Sequence, residues 1–164
     1  VILINSFSKT YAMTGWRIGY IMSANKEAMN QMIKLQYYIT ACSNDAMQYA
    51  VLTAINDADD YPDEMCAEFK ARRDLICSRL NKMPGVQCHV PEGAFYVFPK
   101  VEVPGMTSEE VAIELLKGGV LCSPGSAFGP SGEGHLRFAY TISREDISLG
   151  MDKTEAVLMR LRGD

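Results

Sequence analysis

The sequence predicts an α/β segment followed by a small α+β domain, with the boundary near residue 60. Three observations carry this expectation. The chain opens on an uninterrupted apolar run, Val1-Ile2-Leu3-Ile4, of the kind found in strands buried on both faces. Two segments of helical periodicity then precede an acidic break at 57–60. Beyond the break, one long amphipathic segment leads into short strand-like runs separated by Pro-Gly and Gly-Gly turns, and a second amphipathic segment closes the chain.

Taken in order, residues 1–5 read as a buried strand, 6–14 as a polar, Gly-bounded loop, and 16–22 as a second strand. The strand neighbours that would bury the first run are not in this sequence. Met29, Met32, Ile33 and Tyr37 fall at helical spacing within 26–39, and Ser43-Asn44-Asp45 marks the start of another helix ending near Asn56. Asp57, Asp59, Asp60, Asp63 and Glu64 read as a solvated connection and a helix start. Pro62 suits a first helical turn, and Met65, Phe69, Ile76 and Leu80 mark one face of a helix that stops before Pro84-Gly85. Residues 86–90 and 94–98 read as strands flanking Pro91-Glu92-Gly93. A helix over 107–117 is closed by Gly118-Gly119, and 120–123 and 136–141 complete the strands. Ser143-x-x-Asp146 has capping-box spacing, and Ile147, Met151, Leu158 and Leu161 then share one helical face.

Composition narrows the function classes. A chain of 164 residues, 48% of them hydrophobic, can bury a core, so disorder is not expected. Sixteen basic against 20 acidic residues leave a net charge of −4, which offers no footprint for nucleic acid or an anionic membrane. The five cysteines (Cys42, Cys66, Cys77, Cys88 and Cys122) are odd in number and never form Cys-x-x-Cys, which suggests neither a disulfide framework nor a zinc site and fits a reducing cytosol. No apolar stretch reaches the roughly 20 residues that span a bilayer. The opening without Met, already inside an apolar run, leads to the expectation of a fragment. His89 and His135 lack a partner at metal-ligand spacing and read as surface or packing residues, and the ten Met as gap-filling core. Cys122 has no basic neighbour in sequence that would make it a reactive thiolate.

The most informative segment is Ser6-Phe7-Ser8-Lys9-Thr10-Tyr11-Ala12-Met13-Thr14-Gly15-Trp16-Arg17-Ile18-Gly19-Tyr20. A Lys in a Ser-rich loop is ordinarily just solvated. Amino-acid chemistry on an aldehyde cofactor, however, needs a Lys amine that holds the aldehyde carbon as an imine and then moves the α-proton, a task helped by desolvation between buried strands. A cofactor phosphate needs hydroxyls, backbone N–H groups and a fixed cation, and Ser6, Ser8 and Arg17 lie on the same strand-loop-strand unit as Lys9. In Gly134-His135-Leu136-Arg137-Phe138-Ala139-Tyr140, an Arg sits inside an apolar strand, which is costly unless it is paired. Its partner is either an internal Asp or Glu or a substrate carboxylate that a bidentate guanidinium suits.

Residues 6–19 resemble the Lys-containing signature of the class I and II aminotransferases, the pyridoxal-phosphate (PLP) fold type I superfamily. The resemblance extends through Pro91-Glu92-Gly93-Ala94-Phe95-Tyr96-Val97-Phe98-Pro99, which by itself reads as a turn and a strand, and through 120–140, so it covers essentially the whole chain. It implies a remnant of the large PLP-binding α/β domain over 1–60 and the small C-terminal α+β domain over 61–164. It further implies Lys9 as the catalytic, cofactor-bearing residue, and Ser6, Ser8 and Arg17 on the PLP phosphate. Arg137 would hold the substrate carboxylate while Tyr96 and Phe128 shape the pocket. Asn44 and Gln48 are given only a helix-start and packing role.

The implied activity is transamination between an amino acid and a 2-oxo acid by a cytoplasmic homodimer, with neither nucleic acid nor membrane as partner. The 91–99 and 125–129 segments look most like the branch holding aspartate and aromatic aminotransferases. Two alternatives stay open: a PLP-dependent carbon–sulfur lyase on the same scaffold, and the aminotransferase-like effector domain of a transcriptional regulator. The acidic residue that pairs with the pyridine nitrogen and the aromatic that stacks on the ring belong to a part of the family that this sequence does not contain. The chain alone is therefore expected to bind PLP weakly and to turn over little or not at all.

Overall fold

The computed structural model describes residues 1–58 and 60–163, and the chain divides into two units, Val1–Cys66 and Ala67–Asp164. Asp59, part of the acidic run, lies outside the described residues, while Asp57, Asp60, Asp63 and Glu64 of that run are exposed.

In the first unit, β1 (Ile2–Ser6) pairs antiparallel with β2 (Gly19–Ser23), from Ile2 opposite Ser23 to Ser6 opposite Gly19. The ribbon closes so tightly that a Cβ on Gly19 would meet the Asn5 carbonyl oxygen at 2.5 Å. The stretch between the strands is not the open loop expected. Ser6 accepts a hydrogen bond from the Ser8 N–H and so starts a single helical turn, α1 (Phe7–Thr10), before a 3₁₀ turn at Thr14–Trp16. Trp16 therefore belongs to that turn and not to the second strand. Helices α2 (Lys26–Thr40) and α3 (Asp45–Asp57) follow, capped by the side chains of Asn25 and Asn44, which accept from Ala28 N and Met47 N. The core of this unit is small: Phe7, Met13 and Val51 are buried, with Tyr11, Ile18, Ala50 and Ala54 packed on them. All five residues of β1 are exposed, because a two-stranded ribbon leaves both faces of the strand in solvent. Ile33, Leu35, Tyr37, Tyr38 and Ile39 of α2 are exposed as well.

Helix α4 (Tyr61–Leu80) runs across the division. In the second unit, Ile76, Cys77 and Leu80 pack with β3 (Val86–Gln87), β4 (Tyr96–Val97), β5 (Lys100–Val101), α5 (Ser108–Lys117), β7 (Leu136–Ala139) and α6 (Arg144–Arg162) around one continuous core. β3 pairs with β5, and β7 is the centre of a three-stranded antiparallel sheet between β4 and β6 (Ser123–Pro124). Ser143 accepts from Asp146 N at 3.0 Å, as its capping-box spacing implies, whereas Thr107, expected as the first helical residue, is instead the cap of α5 and forms a reciprocal capping box with Glu110.

The strands are shorter than the apolar runs suggest, for local reasons. After Gln87 the main chain pairs with a side chain: Asn81 Nδ2 donates to Cys88 O and Asn81 Oδ1 accepts from Cys88 N, both at 2.8 Å. Val120 N donates to Leu115 O at 2.9 Å as part of the α5 terminus, so pairing on that segment begins only at Ser123. Ala94 takes a left-handed φ of 62°, held by the buried Tyr140 hydroxyl, which donates to Ala94 O at 2.9 Å. β5 has no signal in the sequence beyond two residues. Cys77 and Cys88 are buried with their sulfurs 3.8 Å apart, and burial pushes the Cys88 thiol up to about 12.

An ion-pair network ties α4 to α6 within this unit. Glu68 accepts from Arg144 through two guanidinium nitrogens and from Arg72 Nε at 2.7 Å, while Arg72 Nη1 reaches Thr141 O at 3.2 Å. The Arg144 and then the Arg72 hydrogen bonds hold the Glu68 carboxyl at about 2, below its ordinary 4.5. A depressed folded value means stability that is complete above about 4.5 and is lost as pH falls toward 2. Glu68→Gln is accordingly expected to lower the urea midpoint at neutral pH, with the gap to the wild type closing over that acid window and shrinking in high salt. A gap that persists unchanged at the acid end would refute this assignment.

Candidate active site

The residues singled out by the sequence fall into two groups, one in each unit. In the first, the Ser6 hydroxyl donates to the Ser8 hydroxyl at 2.9 Å and accepts from Ser8 N at 3.1 Å, so the two hydroxyls sit together at the start of α1. Phe7 N donates to Ile18 O at 3.4 Å, which fastens this turn to the residue beside Arg17. Arg17 takes a left-handed backbone (φ 54°, ψ 49°) as the chain leaves the 3₁₀ turn for β2. That conformation costs a non-glycine residue about 1–3 kcal/mol, and Arg17 Nη1 donates to Thr14 O at 2.6 Å across the same turn. No carboxylate lies within ion-pair distance of Arg17 among the described residues.

Lys9 is the third residue of α1 and is exposed. The desolvated setting expected from two flanking buried strands is thus not realised in this chain, since the residues of β1 and β2 are themselves exposed or half-buried. Two neighbouring hydroxyls and, on the same strand-turn-strand unit, a guanidinium without a carboxylate partner among the described residues are donors whose chemistry suits a phosphate dianion, with a Lys one residue beyond Ser8. The residues present therefore fit the phosphate-bearing group that the resemblance implies.

In the second unit, Arg137 projects from the central strand β7 and is half-buried. Its guanidinium carbon lies 4.6 Å from the Tyr96 ring centre and 4.5 Å from that of Phe128, so two rings brought in by β4 and by the 3₁₀ turn Gly125–Phe128 hold it. Arg137 Nη2 donates to the Ser123 hydroxyl at 3.4 Å on the neighbouring strand β6. Of the two partners left open for this Arg, an internal Asp or Glu is not found: no carboxylate among the described residues lies within ion-pair distance. The site brings Arg137, Tyr96 and Phe128 together as expected. Ser123 was not singled out, although its one-residue offset from Cys122 in a strand-like run could have pointed to it. Phe98 is a further addition: it stacks on His135 (5.1 Å, 8°) and meets Phe128 edge-on at 5.9 Å. Gln48 Nε2 donates to Ser43 O at 3.0 Å, a helix-start contact that matches the role given to Asn44 and Gln48. Burial pushes the Cys122 thiol up to about 11.

A fold and a Lys-centred motif of this kind define a class, and comparison with known proteins assigns the chain to it. Residues 1–153 match the family model "Aminotransferase class I and II". The chain is 46% identical over 159 residues to a probable aspartate aminotransferase of Methanocaldococcus jannaschii, a match covering 93% of this chain and 42% of that protein. It is 39% identical to aromatic-amino-acid aminotransferase 2 of Thermococcus litoralis, covering 96% of this chain and 41% of the relative. The crystal structure of an aromatic aminotransferase from Pyrococcus horikoshii superposes with a TM-score of 0.89 at 40% identity, over 97% of this chain and 43% of that one. The chain belongs to the class I and II aminotransferase family. It spans about two fifths of the length of these relatives. No helix among its described residues is long and apolar enough to cross a membrane.

Proposed function

We propose that a full-length protein carrying this chain catalyses PLP-dependent transamination between an amino acid and a 2-oxo acid. The observation that carries the reading is Arg137, a half-buried guanidinium in contact with the rings of Tyr96 and Phe128 and with no carboxylate of its own among the described residues. Such a group is prepared for a planar bidentate anion, and the α-carboxylate common to amino and 2-oxo acids has that shape. The reported relatives are both named aminotransferases, which supports nitrogen exchange over elimination at Cβ.

Bound PLP supplies an aldehyde carbon that condenses with amines and a ring that accepts the electron pair released at the substrate α-carbon. The chain's own residues do the rest. Ser6 and Ser8 would donate hydroxyl hydrogen bonds to the phosphate of the cofactor, and Arg17 would offset part of its charge. Lys9 Nζ is the amine that holds the cofactor and the base that takes the α-proton of the donor. Arg137 anchors the carboxylate so that the α-proton is presented along one direction, while Tyr96 and Phe128 set the plane of the guanidinium and wall the site. In this reading residues 1–60 belong to the large cofactor-binding domain and 61–164 to the small domain of a cytoplasmic homodimer.

The test compares the 164-residue chain with a full-length protein that contains it, each supplied with PLP, a panel of amino donors and 2-oxoglutarate. Glutamate is expected to accumulate with the full-length protein and hardly at all with the chain alone. A full-length protein that releases pyruvate and thiol from cystathionine but transfers no nitrogen from any donor would overturn the proposal.

A further inference from the structure

The Phe128 ring that flanks Arg137 sits on a single 3₁₀ turn and is 52% exposed, with Phe98 edge-on at 5.9 Å as its ring neighbour, so its position depends largely on the turn. Its backbone anchor lies elsewhere. Ser126 N, two residues before the ring, donates to Ser108 Oγ at 3.4 Å. Ser108 is the first residue of α5 and only 4% exposed, and both of its donors go to a single carboxylate: Ser108 N donates to Glu133 Oε1 at 2.6 Å and Ser108 Oγ to Glu133 Oε2 at 3.1 Å. Glu133 Oε1 also accepts from Gly134 N at 3.1 Å. These are charge-assisted bonds, among the stronger ones a protein makes.

Glu133 stands between the 3₁₀ turn Pro130–Gly132 and strand β7, four residues before Arg137. One carboxylate therefore joins the N-terminus of α5 to the approach to the strand that carries Arg137, and Ser108 Oγ extends the link to the turn that carries Phe128. The two backbones are pressed together at the same place: Gly125 N donates to His135 O at 2.8 Å, and a Cβ on Gly125 would meet Gly132 O at 2.0 Å. With the main chains in contact, the freedom left to the Phe128 ring relative to the guanidinium is that of the turn, and the turn is tied through Ser126.

We infer that Glu133 and Ser108 are positioning residues of the carboxylate grip: the Glu133–Ser108–Ser126 relay fixes the Phe128 turn and, through the ring, the plane of the Arg137 guanidinium. This inference rests on the reading of Arg137 as the carboxylate-binding residue. A purely structural role for the same bonds would be capping of α5, which leaves Arg137 untouched, and the two roles separate in one experiment.

The Arg137 Nε–Hε resonance of the 164-residue chain is identified by its loss in Arg137→Lys and followed by NMR while 3-phenylpropanoate is added as the carboxylate probe. In the wild type the two rings are expected to displace this resonance strongly, and the probe to shift it further. Glu133→Ala and Ser108→Ala are expected to collapse the displacement toward that of a free Arg side chain and to weaken probe binding on the order of tenfold, whereas Glu133→Gln, which keeps the acceptor for Ser108 N, restores both. Ser108→Ala retains the backbone bond to Glu133 and decides the matter if Glu133→Ala does not fold. A displacement unchanged in the folded Ala variants overturns the relay even if the probe binds. A wild-type resonance that ignores the probe, yet loses its displacement in the Ala variants, keeps the relay and refutes the carboxylate reading instead.

Discussion

Lys9→Ala in a full-length protein carrying this chain is expected to abolish transamination, lowering kcat by roughly four orders of magnitude, the upper range for loss of a positioned base. The expectation follows from the two tasks assigned to one nitrogen. On the proposed reading one amine both anchors the cofactor and takes the α-proton, and neither task can be taken over by Ser6, Ser8 or Arg17, which that reading places on the phosphate. Lys9→Arg is expected to be equally inactive, because a guanidinium stays protonated and neither condenses nor accepts a proton. The cleanest check is single-turnover absorbance of the cofactor mixed with donor. Retention of about a tenth of the wild-type rate by Lys9→Ala, far above what loss of a base allows, would remove Lys9 from the mechanism.

Arg137→Ala is expected to lower kcat/KM by about 10²- to 10³-fold for donor and acceptor alike, the range for removing a charged partner from a desolvated carboxylate. Most of the loss should sit in KM, since the carboxylate is bound before and during the reaction. Arg137→Lys distinguishes charge from shape. The ammonium keeps the charge but has no planar group to set against Tyr96 and Phe128 and cannot present two parallel N–H groups, so it is expected to recover only a small part of the loss. Steady-state kinetics with one donor and its matching oxo acid measure both effects. Equal KM values for wild type and Arg137→Ala would move the carboxylate site elsewhere.

What could be read from the sequence and what could not divide along physical lines. Helix starts are written locally, in one side chain that accepts from an N–H two or three residues ahead, and Asn44 and Ser143 each mark theirs in the residue string. Arg137 was legible for a different reason: a charge in an apolar strand is costly enough to demand a partner, whereas Tyr96 and Phe128 beside it followed only from the family resemblance. Strand lengths were not legible. Val86–Gln87 ends where Asn81, a residue of the preceding turn, takes over the pairing of Cys88, and nothing in the apolar run itself announces that competition. The surroundings of Lys9 were also misjudged. Local sequence can say that β1 is apolar, but burial depends on which layers lie over it, and that is a property of the whole assembly. The left-handed Arg17 had no signal at all, because a bulky side chain is an unfavourable choice for that conformation.

The uneven finish of the two units has a consequence for the chemistry. Among the described residues, the buried hydrophobic cluster of the unit that holds Lys9 has three members, against twenty in the unit that holds Arg137. Local opening follows shielding, so the amine is mounted on the softer scaffold and the guanidinium on the stiffer one. On the proposed reading, the cofactor-holding amine therefore belongs to the less shielded of the two units, and hydrogen exchange is expected to be faster around Lys9 than around Arg137.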